Sequence, residues 1–306
     1  MFKTPREILK AYKDGFVGSW CDPEDTDKLL GELPHPLFGV AASDLYHTGE
    51  GKVSLLYKSA QKYDPTFGAH ERQTTGDCVS HSTRTAVDVT RCHEIVGGQR
   101  EEFVARGATE AIYGSRGHGG QGMSCSVAAR FVAQNGGILI RKDYGFVDLS
   151  KYNSRIGTNW GRSGVPKEVV QEGKKHQVKT ISLINTVDQA RDAIANGYAI
   201  SVCSNYGFSS RRNQHGIAAR SKSWNHAMCW CAMDDSREIH NETLFLIQNS
   251  WGAFNGGPKR FDQPDGSFWI REKDAAGMLK QNGAWVFSDV DGFPPRKVDF
   301  TIDEVF

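Results

Sequence analysis

Apolar residues fall at helical spacing through much of the first half of the chain and in strand-like runs through the second. Thr4-Pro5-Arg6-Glu7 opens a short helix, with Thr4 as cap, Pro5 at the first helical position and Glu7 closing a capping box. Ile8, Leu9 and Tyr12 give it an apolar stripe and Gly15 stops it. From Cys21 to Pro65 the chain is punctuated by Pro23, Pro34, Pro36, Gly49, Gly51 and Pro65, which predicts an irregular arm lying over another body. After Cys78, residues Val79, Ala86, Val87, Val89, Cys92, Ile95 and Val96 mark one face of a long helix closed by Gly97-Gly98. Further helices are expected over Glu101 to Tyr113, around Val127 to Val132 before Asn135-Gly136-Gly137, and over Val187 to Asn196 before Gly197. Strands are expected at Tyr198 to Cys203, His226 to Met233, Leu244 to Gln248, Ser267 to Arg271 and Ala284 to Phe287. Helices first and strands second predict an α+β protein of two lobes.

Composition narrows the functions. The chain has 306 residues, 24% of them charged, and a net charge of +1. It therefore lacks the broad basic field that nucleic acid or an acidic membrane would call for. The basic pairs Lys174-Lys175 and Arg211-Arg212 read as ordinary solvated charges. Seven cysteines in no regular spacing predict free thiols in a reducing compartment. With no apolar run resembling a signal peptide or a membrane span, a cytoplasmic or otherwise intracellular protein is expected.

Three stretches carry chemistry. In Gln73-Thr74-Thr75-Gly76-Asp77-Cys78 a loop meets a helix, so Cys78 lies at the positive end of the helix dipole, where thiolate is favoured. Cys92, Cys125, Cys203, Cys229 and Cys231 read instead as small buried hydrophobes. In Trp224-Asn225-His226-Ala227, His226 stands at the mouth of an apolar strand, 148 residues after Cys78. In Gln248-Asn249-Ser250-Trp251-Gly252 a strand delivers an Asn whose carbonyl can orient an imidazole, with Trp251 shielding the bond. Pairing of the strands through Asp234 to Glu242 would bring Asn249 to His226. Gly117-His118-Gly119-Gly120-Gln121-Gly122 matches a dinucleotide fingerprint in form but follows helix-like sequence, so it reads as a loop exposing backbone to an extended ligand. A zinc site of His226, Cys229, Cys231 and His240 is disfavoured because alternate strand residues face opposite sides.

Taken in order, these motifs resemble the papain-like cysteine peptidases (C1-type) from about Gly68 to Phe287, with Gly266-Ser-Phe-Trp-Ile-Arg271 similar to the strand that follows the asparagine motif. The resemblance implies a helical lobe at about 67–150 and a barrel-like antiparallel lobe at about 180–290, within a domain spanning 67–290. Residues 1–66 then become an N-terminal arm or pro-segment-like extension, able to dock in a larger assembly, and 291–306 a tail. It also implies a peptide or protein substrate, no cofactor and no metal. Cys78 becomes the nucleophile, His226 the general base and acid, Asn249 the orienting group, and Gln73 an oxyanion donor beside the Cys78 N–H. Gly120, Gln121, Gly122, Cys125, Cys203, Ala227 and Trp251 become substrate-binding positions. The pattern departs from the family at three points: Gln73 lies five residues before Cys78, one fewer than usual; Val79 replaces an aromatic; Thr75 replaces a disulfide-forming cysteine. A non-catalytic structural or binding component built on this fold, and an amidase or acyl transferase using the same triad, remain alternatives.

Overall fold

The protein is described by a computed structural model covering residues 18–68, 71–98 and 106–297. The helix expected from Thr4 lies outside these residues, as does the start of the one expected from Glu101. In chain order the elements are β1 (Ser19–Trp20), α1 (Pro23–Glu32), α2 (Phe38–Ala41), β2 (Val53–Ser54), α3 (Leu56–Tyr63) and α4 (Cys78–Val96). Then come α5 (Glu110–Gly114), β3 (Met123–Ser124), α6 (Cys125–Arg130) with a π turn at Phe131–Asn135, α7 (Ser154–Ser163) and α8 (Lys167–Gly173). The chain continues with β4 (Thr180–Ile184), α9 (Val187–Ala195), β5 (Ile200–Arg212), β6 (Ala218–Asp234), β7 (Leu244–Gln248), β8 (Ser267–Arg271), α10 (Glu272–Leu279) and β9 (Ala284–Ser288).

The second half forms one antiparallel sheet in the order β4-β9-β5-β6-β7-β8. Its spine is the β5–β6 hairpin, where Cys203 faces Ala227 and Ser204 faces His226. Trp230, Phe245, Trp269 and Trp285 are wholly or almost wholly buried in the core it builds. The helical lobe packs on this sheet through α4. That helix crosses with definite register: Ala199 N–H donates to Thr90 Oγ1 at 3.1 Å, and Ser82 and Ser201 hydroxyls meet at 2.7 Å. Cys78 lies one turn before Ser82 on the helix, and Ser204, three residues beyond Ser201 on β5, pairs with His226 across the hairpin.

Two expectations fail here. Residues 21–65 are not irregular. Asp22 caps α1 by accepting from the Asp25 N–H at 3.2 Å, and Pro23 takes the first helical position, where its missing N–H costs nothing. A proline that looks like a break was a helix start. Farther on, β2 adds to β6 in the main sheet, while Leu29, Leu45, Leu56 and Tyr57 are fully buried. The second correction concerns the cysteines: Cys125 and Cys203 are joined as a disulfide, with Cα atoms 6.4 Å apart, so not all seven are free thiols. The start of α6 and strand β5 face each other across the lobe interface, a proximity that spacing along the chain does not show. The link removes the premise from which a reducing compartment was expected. No helix among the described residues is long and apolar enough to cross a membrane.

Candidate active site

Cys78 is the first residue of α4 and is completely buried. Its neighbour Asp77 occupies the cap position without a side-chain cap bond, and its Oδ2 instead accepts from Tyr152 Oη at 2.6 Å. The N–H groups of the first turn, which have no intrahelical acceptor, place a partial positive field at the thiol.

His226 arrives on β6 through a backbone kink, Asn225 having φ +25°. Non-glycine residues rarely adopt that conformation, and here it falls beside a register irregularity opposite Ser204 to Tyr206. The β6–β7 pairing sets Cys229 opposite Gln248, which carries the next residue, Asn249, back to the histidine. His226 Nε2–H donates to Asn249 Oδ1 at 2.8 Å, and the same oxygen accepts the Ser250 N–H at 2.7 Å, which fixes the amide's orientation. The indole of Trp251 stacks on the imidazole with centroids 4.5 Å apart and planes 29° apart. Trp224 and Phe254 pack against Trp251 in turn. Burial pushes the His226 pKa down to about 4; the Asn249 bond works against that and the nearby His81 works with it.

Gln73 is wholly buried and is held at its backbone N–H and at both ends of its side-chain amide. Its N–H donates to Ser250 O at 2.9 Å, its Oε1 accepts from Ser250 Oγ at 2.5 Å, and its Nε2 donates to Thr75 O at 2.8 Å. A primary amide carries two N–H donors, so one remains beyond the Thr75 bond. The glycine loop is braced as well. Gln121 Oε1 accepts from Gly76 N–H at 2.7 Å and Thr75 Oγ1 at 2.8 Å, tying the wall to the nucleophile loop. Gly120 gives its carbonyl to Arg116 Nε at 3.1 Å, and Gly122 turns the chain at φ +80°.

Cys125, Cys203 and Ala227 come together and are buried, the cysteines as the disulfide rather than as thiols in a pocket. The N-terminal segment runs over this junction. Ser19 and Trp20 pair in parallel with Met123 and Ser124, and Met123 N–H donates to Gly18 O at 3.2 Å. The same segment packs against β5 and β6, Cys21 Sγ approaches the Cys203 carbonyl at 4.0 Å, and Trp20 lies beside the His118 ring at 5.7 Å. The arm thus bridges the two lobes at the glycine wall. Among the described residues no three His, Cys, Asp or Glu side chains converge as metal ligands.

Sequence reasoning missed Ser250 as the anchor of Gln73, although its place directly after the asparagine was visible. It also missed Tyr152, whose approach to Asp77 is purely tertiary.

No family model matches the chain, and no curated protein matches it by sequence. Solved structures do match it. Xylellain, a cysteine protease from Xylella fastidiosa, superposes with a TM-score of 0.52 at 15% identity, over 78% of this chain and 86% of that one. The proCathepsin B S9 of Trypanosoma congolense superposes at 0.54 with 12% identity, over 91% and 87%. The fold is papain-like. The α+β architecture of two lobes is therefore shared with cysteine proteases, at identities that speak for the fold and leave the chemistry to the residues.

Proposed function

We propose that the protein is a cysteine peptidase that hydrolyses peptide bonds through a thioester on Cys78. The observation that carries this reading is the His226–Asn249 bond of 2.8 Å under the Trp251 indole, beside a cavity lined by His81 and Ser82 of α4 together with Ala227 and Asn249. With Nε2 committed to Asn249, Nδ1 is the nitrogen left to take the Cys78 proton. That transfer produces a thiolate–imidazolium pair, steadied by the helix start. The thiolate attacks the scissile carbonyl. The Cys78 N–H and the remaining Gln73 Nε2–H receive the oxyanion, His226 returns the proton to the leaving amine, and water resolves the thioester. The five-residue span from Gln73 is compensated by Ser250, which holds the amide in place.

Cys78 and His226 are both fully buried, so the described arrangement is a latent one. The arm at Gly18 to Cys21 occupies the surface on which an extended peptide would pair with the glycine wall, and it must leave before substrate enters. Peptide hydrolysis by the wild-type chain and by variants weakened at Trp20 tests both statements. Activity that rises when the arm is loosened and vanishes in Cys78→Ala supports them. Activity that survives Cys78→Ala would refute the peptidase assignment.

A further inference from the structure

The residue before the nucleophile poses an electrostatic problem that the triad does not solve. Asp77 is 1% exposed, and its Oδ1 has no hydrogen-bond partner among the described residues. A buried carboxylate adjacent in sequence to Cys78 opposes ionisation of the thiol, because two like charges at short range in a poorly screened site repel strongly. One turn along α4, His81 faces this carboxylate. Its Nε2 lies 3.5 Å from Asp77 Oδ2, and its Nδ1 lies 4.0 Å from Glu71 Oε2.

The imidazole is 1% exposed and makes no hydrogen bond at either nitrogen among the described residues, so its contribution is one of charge and not of scaffolding. A neutral imidazole offsets neither carboxylate charge, whereas the doubly protonated ring lies within 4.0 Å of both. The other charged and titratable groups around it are committed elsewhere. Glu71 is bound by Arg84 at 2.5 Å and by Arg141 at 2.9 Å. Arg106 is paired with Asp64, and Tyr152, edge-on to His81 at 5.0 Å, donates to Asp77. Burial acting alone would raise the Glu71 pKa, but Arg84, Arg141 and His81 outweigh it and hold it at about 2, so Glu71 is an anion facing His81. Across the interface, His81 adds to the lowering of the His226 pKa.

Resting on the peptidase reading above, we propose that His81 is a positioning residue: doubly protonated between Asp77 and Glu71, it cancels the Asp77 charge and so allows Cys78 to ionise. The arrangement works as a matched pair. Removing only the cation leaves Asp77 to suppress the thiolate. Removing only the anion leaves a surplus cation that favours it. Removing both restores the balance.

The test follows the ultraviolet absorbance of the Cys78 thiolate against pH in the full chain, each variant being referenced to itself with Cys78→Ser added. This readout needs no access to the covered cleft. His81→Gln is expected to raise the ionisation midpoint by about one pH unit, and Asp77→Asn to lower it by a similar amount. The double variant Asp77→Asn/His81→Gln is expected to return to the wild-type midpoint. A packing role for His81 would give no rescue by the second substitution. If His81→Gln fails to fold, Asp77→Asn alone decides: a midpoint that stays put or rises overturns the proposal. Equal midpoints in all folded variants overturn it as well. Absence of any low-pH thiolate in the wild type would overturn the peptidase reading and this inference with it, whereas a normal wild-type titration unmoved by the substitutions would overturn the inference alone.

Discussion

Substituting Asn249 by alanine isolates the bond on which the site depends. Asn249 Oδ1 is the acceptor for His226 Nε2–H at 2.8 Å, and both residues are shut from solvent, with His226 fully buried and Asn249 3% exposed. Removing the acceptor strands a buried donor, which costs about 1–3 kcal/mol. That cost falls on the imidazolium-bearing form most of all, because the Asn249 bond favours that form. At about 1.4 kcal/mol per factor of ten, kcat/KM of the arm-released protein should fall roughly 10- to 100-fold. The direction on the pH axis follows from the sign of the same bond. Burial lowers the His226 pKa and Asn249 raises it, so the variant's imidazolium loses its proton at lower pH. The alkaline limb of the activity profile should therefore move down by about one unit. The assay is peptide hydrolysis across pH with thermal unfolding as a control for folding. A folded Asn249→Ala protein whose alkaline limb stays in place, with kcat/KM within threefold of wild type, would refute this account of His226.

Ser250→Ala frees Gln73 Oε1 from its hydroxyl partner and should lower kcat more than it changes KM, by up to the roughly 10²-fold seen when an oxyanion donor is lost; steady-state kinetics separates the two. Cys125→Ser opens a loop of 78 residues and should lower stability by about 2–4 kcal/mol in denaturant unfolding under non-reducing conditions, with no such loss when wild type and variant are compared in reductant. Glu71, at about 2 in the folded chain against about 4.3 unfolded, contributes stability that is complete above the unfolded value and lost as pH falls toward 2. Acid titration of stability should show that loss, about 3 kcal/mol, in wild type and not in Glu71→Gln. Gly266→Ala should destabilise the asparagine loop, since the position has φ +74° and a Cβ would stand 2.2 Å from the Gly252 carbonyl; a Tm equal to wild type would contradict that.

Most of the β lobe was legible because its central strands are apolar runs closed by polar turns, and the observed β7 and β8 coincide with the expected spans at Leu244–Gln248 and Ser267–Arg271. Strand β4 was not expected, and β5 and β6 run well past the expected Tyr198–Cys203 and His226–Met233 through polar residues that carry no apolar signal. The nucleophile helix was legible for the same kind of reason, a long apolar stripe ending at Gly97. The arm was not. Pro23 signals a break or a first helical turn equally well, and only the Asp22 side chain accepting from Asp25 separates the two. Helices α7 and α8 were missed because their apolar faces are short: among α7 residues only Ser154, Gly157 and Gly161 are buried. At the site, motif order brought Cys78, His226, Asn249 and Gln73 to notice. The Cys125–Cys203 link and the His81–Asp77 contact depend on how the lobes and loops meet, or on which helix face turns inward. Spacing along the chain carries no record of the disulfide; the four-residue separation of Asp77 and His81 was visible, but not that this face of the helix is buried against Glu71.

The central claim is that Cys78 is an activated nucleophile served by His226. Its most direct test is labelling of the pure chain with an epoxysuccinyl probe across pH, with the modified residue mapped by peptide mass spectrometry. The account predicts selective modification of Cys78 near neutral pH, faster when Trp20 is replaced and the arm loosened, strongly slowed in His226→Ala and absent in Cys78→Ala. Labelling spread over Cys21, Cys92 and Cys229, or at Cys78 no faster than an ordinary thiol once the arm is loosened, would contradict it.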